Sequence, residues 1–454
     1  MTQRLAFSAL TGAFCGLLFG YDIGAMAGAA PDTRVALALS PAGLGLAVAS
    51  ALVGTIFASA GAGRLADAVG RRVTMGASGI LYSVCILISA SARGLVLFAA
   101  ARFLCGIAIG AISVAAPMYL AEIAPPRLRG RIVGCFQLSL SIGVVAAFAL
   151  GYILSRCLLS DPAWRVLLAI GILPALLFEA CLLRAVDSPR WLAIRGRVED
   201  VTAALTELGS SHPGLDEANI AAYLLEGGAT TNQRLFSPHY IRPIALAVSL
   251  AVFNQLSGVN AILYYVLDIF RDLGAERLNE RADAAILSVV SLFVTMIAVL
   301  LIDKIGRKPL LLTGAAGMCC CLLLLPAVRH YNWPASVVIV LIACYNACFG
   351  FSQGIVIWVY LSEIFPLPVR GRGQSLGSTV HWATNAFVVG TFPFLASHLG
   401  SKIFLGLALL MVVQFFTILL LYPETRGRSL ESSPPATADN SPSPWNKGYP
   451  AEGQ

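Results

Sequence analysis

The sequence predicts an all-α membrane protein with about twelve transmembrane helices arranged in two related halves. The prediction depends on two observations: the composition is strongly apolar, and two charged motifs each occur twice. Of the 454 residues, 57% are hydrophobic and only 12% are charged, and the mean hydropathy is +0.79. An average soluble domain contains about 25% charged residues, so this composition is typical of a chain that lies mostly in a bilayer.

The repeated motifs indicate an internal duplication. Residues 67–71 (Asp-x-x-Gly-Arg) are repeated at 303–307, and residues 119–131 (Tyr-Leu-x-Glu-Ile, then Arg-Gly-Arg) are repeated at 360–372. Both second copies follow the first by roughly 240 residues, which is the offset expected for a duplicated half. Each copy stands between apolar runs, so we expect all four to lie on one face of the membrane.

The apolar runs define four predicted regions. Each run is near the length of about 20 residues that crosses a bilayer as a helix. Residues 1–183 are predicted to form an N-terminal six-helix bundle and residues 241–422 a C-terminal six-helix bundle. Residues 184–240 are polar and predict a cytoplasmic linker with short helices, at 198–208 and 215–225. Residues 423–454 are rich in Ser, Pro and Gly and predict a disordered cytoplasmic tail.

Charge and cysteine content exclude several function classes. The net charge of +7 comes from basic residues scattered among short loops, which predicts a cytoplasmic location for those loops and both termini and does not indicate nucleic-acid binding. The eleven cysteines lie mostly inside apolar runs without zinc-like spacing, so we expect neither a disulfide framework nor a metal. No catalytic triad or Walker sequence is present, which disfavours an enzyme, an ATP-driven pump and any cofactor.

Two ionisable side chains inside predicted spans are the first candidates for function. Asp22 lies in the first span and Arg102 in the fourth, and a charge at the bilayer centre costs about 2.5–3.5 kcal/mol or more. By the helical rise, both fall in the outer half of the membrane, where they could pair. Glycines recur every fourth residue from position 12 to position 28, predicting a ridge that packs on a neighbouring helix and leaves Asp22 on another face. A proton site and a static ion pair are both compatible with this pattern.

Polar amides and aromatic residues inside spans form the second candidate group. Amides donate and accept hydrogen bonds and an indole offers a flat apolar face, a combination that suits a neutral polyhydroxylated ring. Hydrogen bonding between helices is the alternative. Ser257 and Gly258 are expected to loosen the seventh span beside these groups. The group comprises Gln137, Asn254, Gln255, Asn260, Tyr264, Trp358, His381, Trp382 and Asn385.

The repeated charged motifs supply a third group, with a predicted gating role. We expect Glu122 to pair with Arg129 or Arg131, and Glu363 with Arg370 or Arg372. Asp67 and Asp303 are expected to pair with neighbouring arginines. These networks are predicted to hold the halves together in one state and to break in another. The alternative is that the charges only set the topology. The predicted gating residues are Arg64, Asp67, Arg71, Glu122, Arg129, Asp303, Arg307, Glu363 and Arg370.

These motifs together resemble the sugar porter family of the major facilitator superfamily over nearly the whole chain. The resemblance rests on residues 20–22 (Gly-Tyr-Asp), 188–191 (Ser-Pro-Arg-Trp), 255–260 (Gln-Leu-Ser-Gly-Val-Asn) and 423–427 (Pro-Glu-Thr-Arg-Gly), besides the repeats described above. It is closest to the bacterial proton-coupled glucose- and xylose-type symporters. It implies a major facilitator fold, alternating access and a monosaccharide held between the two bundles.

The resemblance also assigns roles to individual residues. Asp22 matches the aspartate of proton-coupled members, and Arg102 matches its partner. Phe19 and Tyr264 match residues that line the cavity. Family sugar contacts are matched by Gln137, Gln255, Asn260 and Trp358, and the eleventh-helix pair by Trp382 and Asn385. The chain departs from the family pattern at Asn254, Ser291, Ile355, Ile357 and His381.

The predicted function is therefore proton-coupled import of a monosaccharide, with a hexose such as glucose as the expected substrate. A facilitative uniporter and a transporter-like sugar sensor are the alternatives. The expected partners are the sugar, the proton and the lipid bilayer, and one chain is expected to work as a monomer because two bundles suffice to form a path. The expected location is the bacterial inner membrane or a plasma membrane.

Overall fold

The computed structural model of the protein describes residues 2–158, 160–210, 213, 214, 218, 234–264, 280–331 and 333–427. Within these residues the secondary structure is helical, without strands. The helices of the first half and the linker are α1 Gln3–Ala36, α2 Pro41–Val69, α3 Arg71–Ser91, α4 Leu95–Ile123, α5 Arg129–Cys157, α6 Ser160–Ala169, α7 Ile172–Leu182, α8 Pro189–Ile194 and α9 Val198–Leu208. Those of the second half are α10 Ile241–Leu256, α11 Val259–Tyr264, α12 Glu280–Ile305, α13 Arg307–His330, α14 Ala335–Phe351, α15 Gln353–Ile364, α16 Arg370–Leu399 and α17 Lys402–Leu421.

Twelve membrane crossings follow from these helices. Eleven segments of the described chain are long and apolar enough to span a bilayer, with α6 and α7, α10 and α11, and α14 and α15 each forming one crossing. The helix α16 is also long enough at 30 residues, but several buried polar side chains, including Gln374, Ser378, His381 and Asn385, make it less apolar than the others. It is the twelfth crossing, so the predicted all-α membrane protein with about twelve transmembrane helices is confirmed.

The glycine ridge of α1 packs against α5, as the sequence predicts. A Cβ atom added at Gly16 would lie 2.1 Å from the carbonyl oxygen of Phe136, and one added at Gly20 would lie 1.9 Å from that of Leu140. The two backbones are therefore in direct contact, which only glycine permits. Asp22 projects from a different face of α1, toward α3 and α4.

Two crossings are broken in the middle. The seventh breaks at Ser257 and Gly258, where Gly258 has φ +85°, a conformation that glycine adopts without strain. The tenth breaks at Ser352, between α14 and α15, although Ile355 and Ile357 stand where family members commonly have prolines. In this chain the kink arises without those prolines.

The two bundles meet on the face of the charged motifs. The contact between α2 and α16 is so close that a Cβ atom added at Gly63 would lie 1.8 Å from the carbonyl oxygen of Gly371. The backbone N–H of Gly63 donates to Ser375 Oγ at 2.7 Å. A second seam joins α5 to α12, where the side chain of Arg131 donates to the Leu300 carbonyl oxygen at 3.3 Å. The described residues thus form a conformation that is closed on this face.

The sequence predicts the first linker helix correctly but not the start of the C-terminal tail. Helix α9 has the predicted bounds 198–208, whereas the second predicted linker helix, 215–225, lies almost wholly outside the described residues. The predicted disordered tail begins too early, because residues 423–427 are bound to the second bundle: Glu424 accepts hydrogen bonds from the backbone N–H groups of Arg307 and Lys308, both at 3.0 Å. This carboxylate caps the N-terminus of α13.

Candidate functional site

Asp22 and Arg102 form a buried two-hydrogen-bond ion pair. The two guanidinium nitrogens Nη1 and Nη2 lie 2.6 Å and 2.7 Å from the two carboxylate oxygens. Both side chains are almost fully removed from solvent, at 3% and 2% exposure. Such bidentate pairs are the strongest ion pairs that side chains form, and removing one partner leaves an unpaired buried charge. The structure therefore brings together the two residues that the sequence selected.

Tyr82 is a third member of this site that the sequence analysis missed. Its hydroxyl, on α3, donates to Asp22 Oδ1 at 3.1 Å and is fully buried. A tyrosine in an apolar run is ordinary, so no sequence signal identified it. Glu179 on α7 was also missed, although an acidic residue inside the sixth apolar run was a usable signal. Its Oε1 is buried and makes no hydrogen bond within the described residues.

The predicted amides of the second bundle form one hydrogen-bonded cluster. Asn260 Nδ2 donates to Gln255 Oε1 at 2.9 Å and to Asn385 Oδ1 at 3.0 Å. Gln255 Nε2 lies 3.0 Å from His381 Nε2, so the histidine that replaces a family amide takes part in the cluster. Three helices, α10, α11 and α16, contribute these side chains, and the break at Gly258 lets Gln255 and Asn260 face each other.

Aromatic side chains extend the cluster to the first bundle. Trp358 Nε1 on α15 donates to Gln137 Oε1 on α5 at 2.9 Å. Trp382 Nε1 approaches Ser113 Oγ on α4 at 3.4 Å, and its ring packs edge-on against Phe19 with centroids 5.4 Å apart. The site is thus lined by both halves of the chain.

Some predicted residues have other surroundings. Asn254 links the cluster to the backbone of α15. Its Nδ2 donates to the Gln353 carbonyl oxygen at 3.1 Å, and its Oδ1 accepts from Gln255 Nε2 at 3.0 Å. It therefore orients Gln255. Ser291 packs against the α14 backbone near Gly350. The backbone of Tyr264 ends α11, and its side chain lies outside what the structure describes.

The charged motifs form ion pairs inside each bundle, and the sequence analysis did not foresee the main partners of Glu122 and Glu363. Glu122 is held by Arg71, with Nε and Nη2 at 2.9 Å and 3.0 Å from its oxygens. Glu363 is held in the same way by Arg307 at 3.1 Å and 2.8 Å. The prediction considered only arginines that are close in sequence, whereas the end of α4 lies beside the start of α3, and the end of α15 lies beside the start of α13.

The contacts between bundles are of a different kind. Asp303 accepts hydrogen bonds from the backbone N–H groups of Gly130 and Arg131 at 3.0 Å and 2.9 Å, at the N-terminus of α5. By the internal repeat, Asp67 lies against the N-terminus of α16, where a Cβ atom added at Gly371 would be 2.5 Å from its Oδ2. A helix N-terminus carries a partial positive charge, so each carboxylate of one bundle binds a helix end of the other.

Arg64, Arg129 and Arg370 complete the predicted gating set. Arg129 and Arg370 are buried, at 1% and 0% exposure, and Arg370 Nε donates to the Phe365 carbonyl oxygen at 3.2 Å. Arg64 is exposed at the seam between α2 and α16. These residues all lie on the closed face.

Comparison with known proteins identifies the family to which the chain belongs. The sequence pattern of the sugar (and other) transporter family matches residues 8–436. The arabinose-proton symporter of Bacillus subtilis is 31% identical over 424 residues, covering 92% of this chain and 91% of the relative.

Solved structures agree with the sequence comparison. The proton:xylose symporter XylE bound to 6-bromo-6-deoxy-D-glucose superposes with a TM-score of 0.88 at 30% identity, covering 94% of this chain and 98% of XylE. The inward-open conformation of XylE from Escherichia coli gives a lower TM-score of 0.72 at 29% identity, with 93% and 97% covered. The chain therefore belongs to the sugar (and other) transporter family of the major facilitator superfamily, and it is a multi-pass membrane transporter and not an enzyme.

Proposed function

We propose that the protein is a proton-coupled monosaccharide symporter that works by alternating access, with Asp22 as the proton site and Arg102 as its partner. The observation that supports this most strongly is the buried bidentate pair between them. The functions of two relatives, an arabinose-proton symporter and a proton:xylose symporter, agree with it.

The chemistry of the pair explains how a proton could be coupled to movement. When Asp22 is ionised, Arg102 and Tyr82 hold it with three hydrogen bonds. Protonation removes the negative charge and with it the Coulombic attraction to Arg102, so the helices α1 and α4 become free to separate. One proton moving inward gains about 2.3 kcal/mol per 100 mV of membrane potential, which can drive the accumulation of a neutral sugar.

The sugar is proposed to bind in the cluster around Gln255, Asn260 and Trp358. Its amides already form hydrogen bonds with each other, and sugar hydroxyls can replace those partners without leaving a buried polar group unsatisfied. The contact of Trp358 with Gln137 spans the two bundles, so a ring bound there would touch both. We expect a hexose such as glucose to be a substrate.

The closed face is proposed to be cytoplasmic, because the basic loops lie there. The conformation described is then closed to the cytoplasm, and both chain termini lie on that side. Opening requires the contacts of Asp303 and Asp67 with the opposite bundle to break. Since both bundles belong to one chain, we propose that the monomer carries out transport.

The test is the Asp22→Asn variant in proteoliposomes with an imposed proton gradient. We expect uphill sugar uptake and proton influx to be lost while sugar exchange at equal concentrations continues, because the amide cannot release a proton. Asp32→Asn, a carboxylate change on the same helix, is the matched control and should accumulate sugar like the wild type. Undiminished accumulation by Asp22→Asn would exclude Asp22 as the coupling group.

A facilitative uniporter is the second candidate, favoured if the Asp22 pair only fixes the packing of α1 and α4. The two candidates differ in proton movement: addition of sugar to de-energised vesicles should make the outer medium more alkaline for a symporter and leave it unchanged for a uniporter. A purely sensory role would leave no sugar uptake by the purified protein at all.

A further inference from the structure

A cavity of about 580 Å³ lies at the seam between the bundles, beside the contact of α2 with α16. Its charged lining consists of Arg64 from α2, Arg234 from the end of the linker, and Arg372 from α16. Ser375 and Thr379 supply hydroxyl groups, and Phe236 covers part of the wall. Its volume is in the range of about 300–1,000 Å³ that is usual for sites of small molecules.

The lining of this cavity carries three positive charges and no negative charge. Arg64 and Arg234 make no hydrogen bond or ion pair with any other residue that the structure describes, and only Arg372 faces a carboxylate, that of Asp67. Three guanidinium groups around one space repel one another unless an anion lies between them. Guanidinium groups bind phosphate in bidentate fashion. The Ser375 hydroxyl accepts from the Gly63 N–H and can donate its own proton to a remaining phosphate oxygen, whereas the Thr379 hydroxyl donates to the Ser375 carbonyl oxygen.

The cavity exists only while the bundles are closed on this face. Gly63, the neighbour of Arg64, donates to Ser375, and Ser59 Oγ lies 3.1 Å from Thr379 Oγ1 across the same seam. Arg64 belongs to the first bundle, whereas Arg372 belongs to the second. When the bundles separate, the two guanidinium groups separate with them, so an anion that needs both binds the closed conformation selectively.

We propose that this cavity binds a phosphate-bearing anion and that the bound anion stabilises the conformation closed on the face of the charged motifs. The ligand is held by Arg64 of the first bundle and Arg372 of the second, with Arg234 of the linker as the third contact. By mass action, such a ligand slows the opening of this face and with it the transport cycle. The site is separate from the Asp22 pair and from the sugar cluster, so it acts on conformation and not on coupling.

The experiment measures binding of inorganic diphosphate to the full-length protein in phosphatidylcholine nanodiscs by calorimetry at constant ionic strength. We expect saturable binding that is roughly tenfold weaker in Arg64→Gln and in Arg234→Gln, the effect of losing one hydrogen-bonded charge. Arg64→Lys should recover part of it. Arg127→Gln, an exposed arginine of the same face outside the cavity, is the matched control and should bind like the wild type.

A second arm separates a soluble ligand from a lipid headgroup. Amide hydrogen exchange at residues 370–375 is measured in three samples. These are phosphatidylcholine nanodiscs alone, the same nanodiscs with diphosphate, and phosphatidylglycerol nanodiscs without diphosphate. Slower exchange with diphosphate alone supports a soluble ligand, and slower exchange with phosphatidylglycerol alone supports a headgroup, provided that Arg64→Gln removes the effect. No saturable binding and no slowing in either arm, or equal responses in Arg64→Gln and Arg127→Gln, would overturn the proposal. Neither readout depends on sugar transport.

Discussion

At the scale of single residues, the polar groups of the two candidate sites are held by partners on other helices. Asp22 is held from α3 and α4, and Gln255 from α11 and α16. Polar groups buried in a bilayer cannot turn to water, so each must find such a partner. A sugar bound in the cluster, as proposed above, has to replace existing hydrogen bonds and not merely add new ones.

Truncation of the sugar cluster should weaken sugar binding. We expect Gln255→Ala and Asn260→Ala each to cost about 1–3 kcal/mol of binding free energy, because each strands a buried donor or acceptor. Binding of labelled glucose to purified protein, with unlabelled pentoses and hexoses as competitors, measures this and tests the expected preference for a hexose.

The matched control for these variants is Gln414→Ala. Gln414 accepts a hydrogen bond from Gln353 Nε2 at 2.7 Å and is buried away from the cluster. It should lower stability without changing sugar affinity. Equal losses of affinity in all three variants would mean that the cluster is not the sugar site.

At the scale of helices, the fold depends on how closely backbones can approach. Helix α1 packs on α5 through its glycines, and α2 packs on α16 through Gly63 and Gly371. The first of these contacts lies within a bundle and the second lies between bundles. Small residues therefore serve both the fixed core of a bundle and the seam that must open.

A methyl group on the α1 ridge should destabilise the first bundle. Gly16→Ala places its Cβ 2.1 Å from the Phe136 carbonyl oxygen, which forces α1 and α5 apart at a cost of about 1–3 kcal/mol. A lower midpoint of thermal unfolding in detergent is the expected result. Gly45→Ala, where the added Cβ meets nothing within 4 Å, should be as stable as the wild type or slightly more stable, since alanine favours a helix. If Gly16→Ala unfolded no earlier than Gly45→Ala, the ridge would not be a packing surface.

Several features of the helices could be predicted from the sequence alone. Apolar length predicted the crossings, the spacing of glycines predicted the α1 face, and Ser257 with Gly258 predicted the break in the seventh crossing. These are local signals, each contained in one stretch of chain. The pairing of Glu122 with Arg71, the pairing of Glu363 with Arg307 and the role of Tyr82 were missed, because those contacts join helices distant in sequence and nothing local indicates which helix ends meet.

At the scale of the whole molecule, the internal repeat creates two equivalent seams. Each bundle contributes one carboxylate to the helix N-terminus of the other: Asp303 binds α5, and Asp67 lies against α16. Within each bundle, Arg71 and Arg307 hold these carboxylates at 3.0 Å. We propose that the pairs inside a bundle persist through the transport cycle, whereas the contacts with helix ends break and re-form, so that the helix ends act as the gate.

Removal of one gate contact should favour opening of the closed face. Asp303→Ala deletes the acceptor of the Gly130 and Arg131 N–H groups, and hydrogen bonds to a charged group contribute about 1.5–3 kcal/mol each at most positions. We therefore expect amide hydrogen exchange at the start of α5 to become roughly tenfold faster or more. Arg307 keeps its pair with Glu363, so the second bundle should remain folded.

Asp200→Ala, which removes an exposed linker carboxylate paired with Arg197, is the control for loss of charge. Because the two seams open together, the start of α16 should also exchange faster in Asp303→Ala, although it contains no substitution; acceleration confined to α5 would show local fraying and not the opening of a gate.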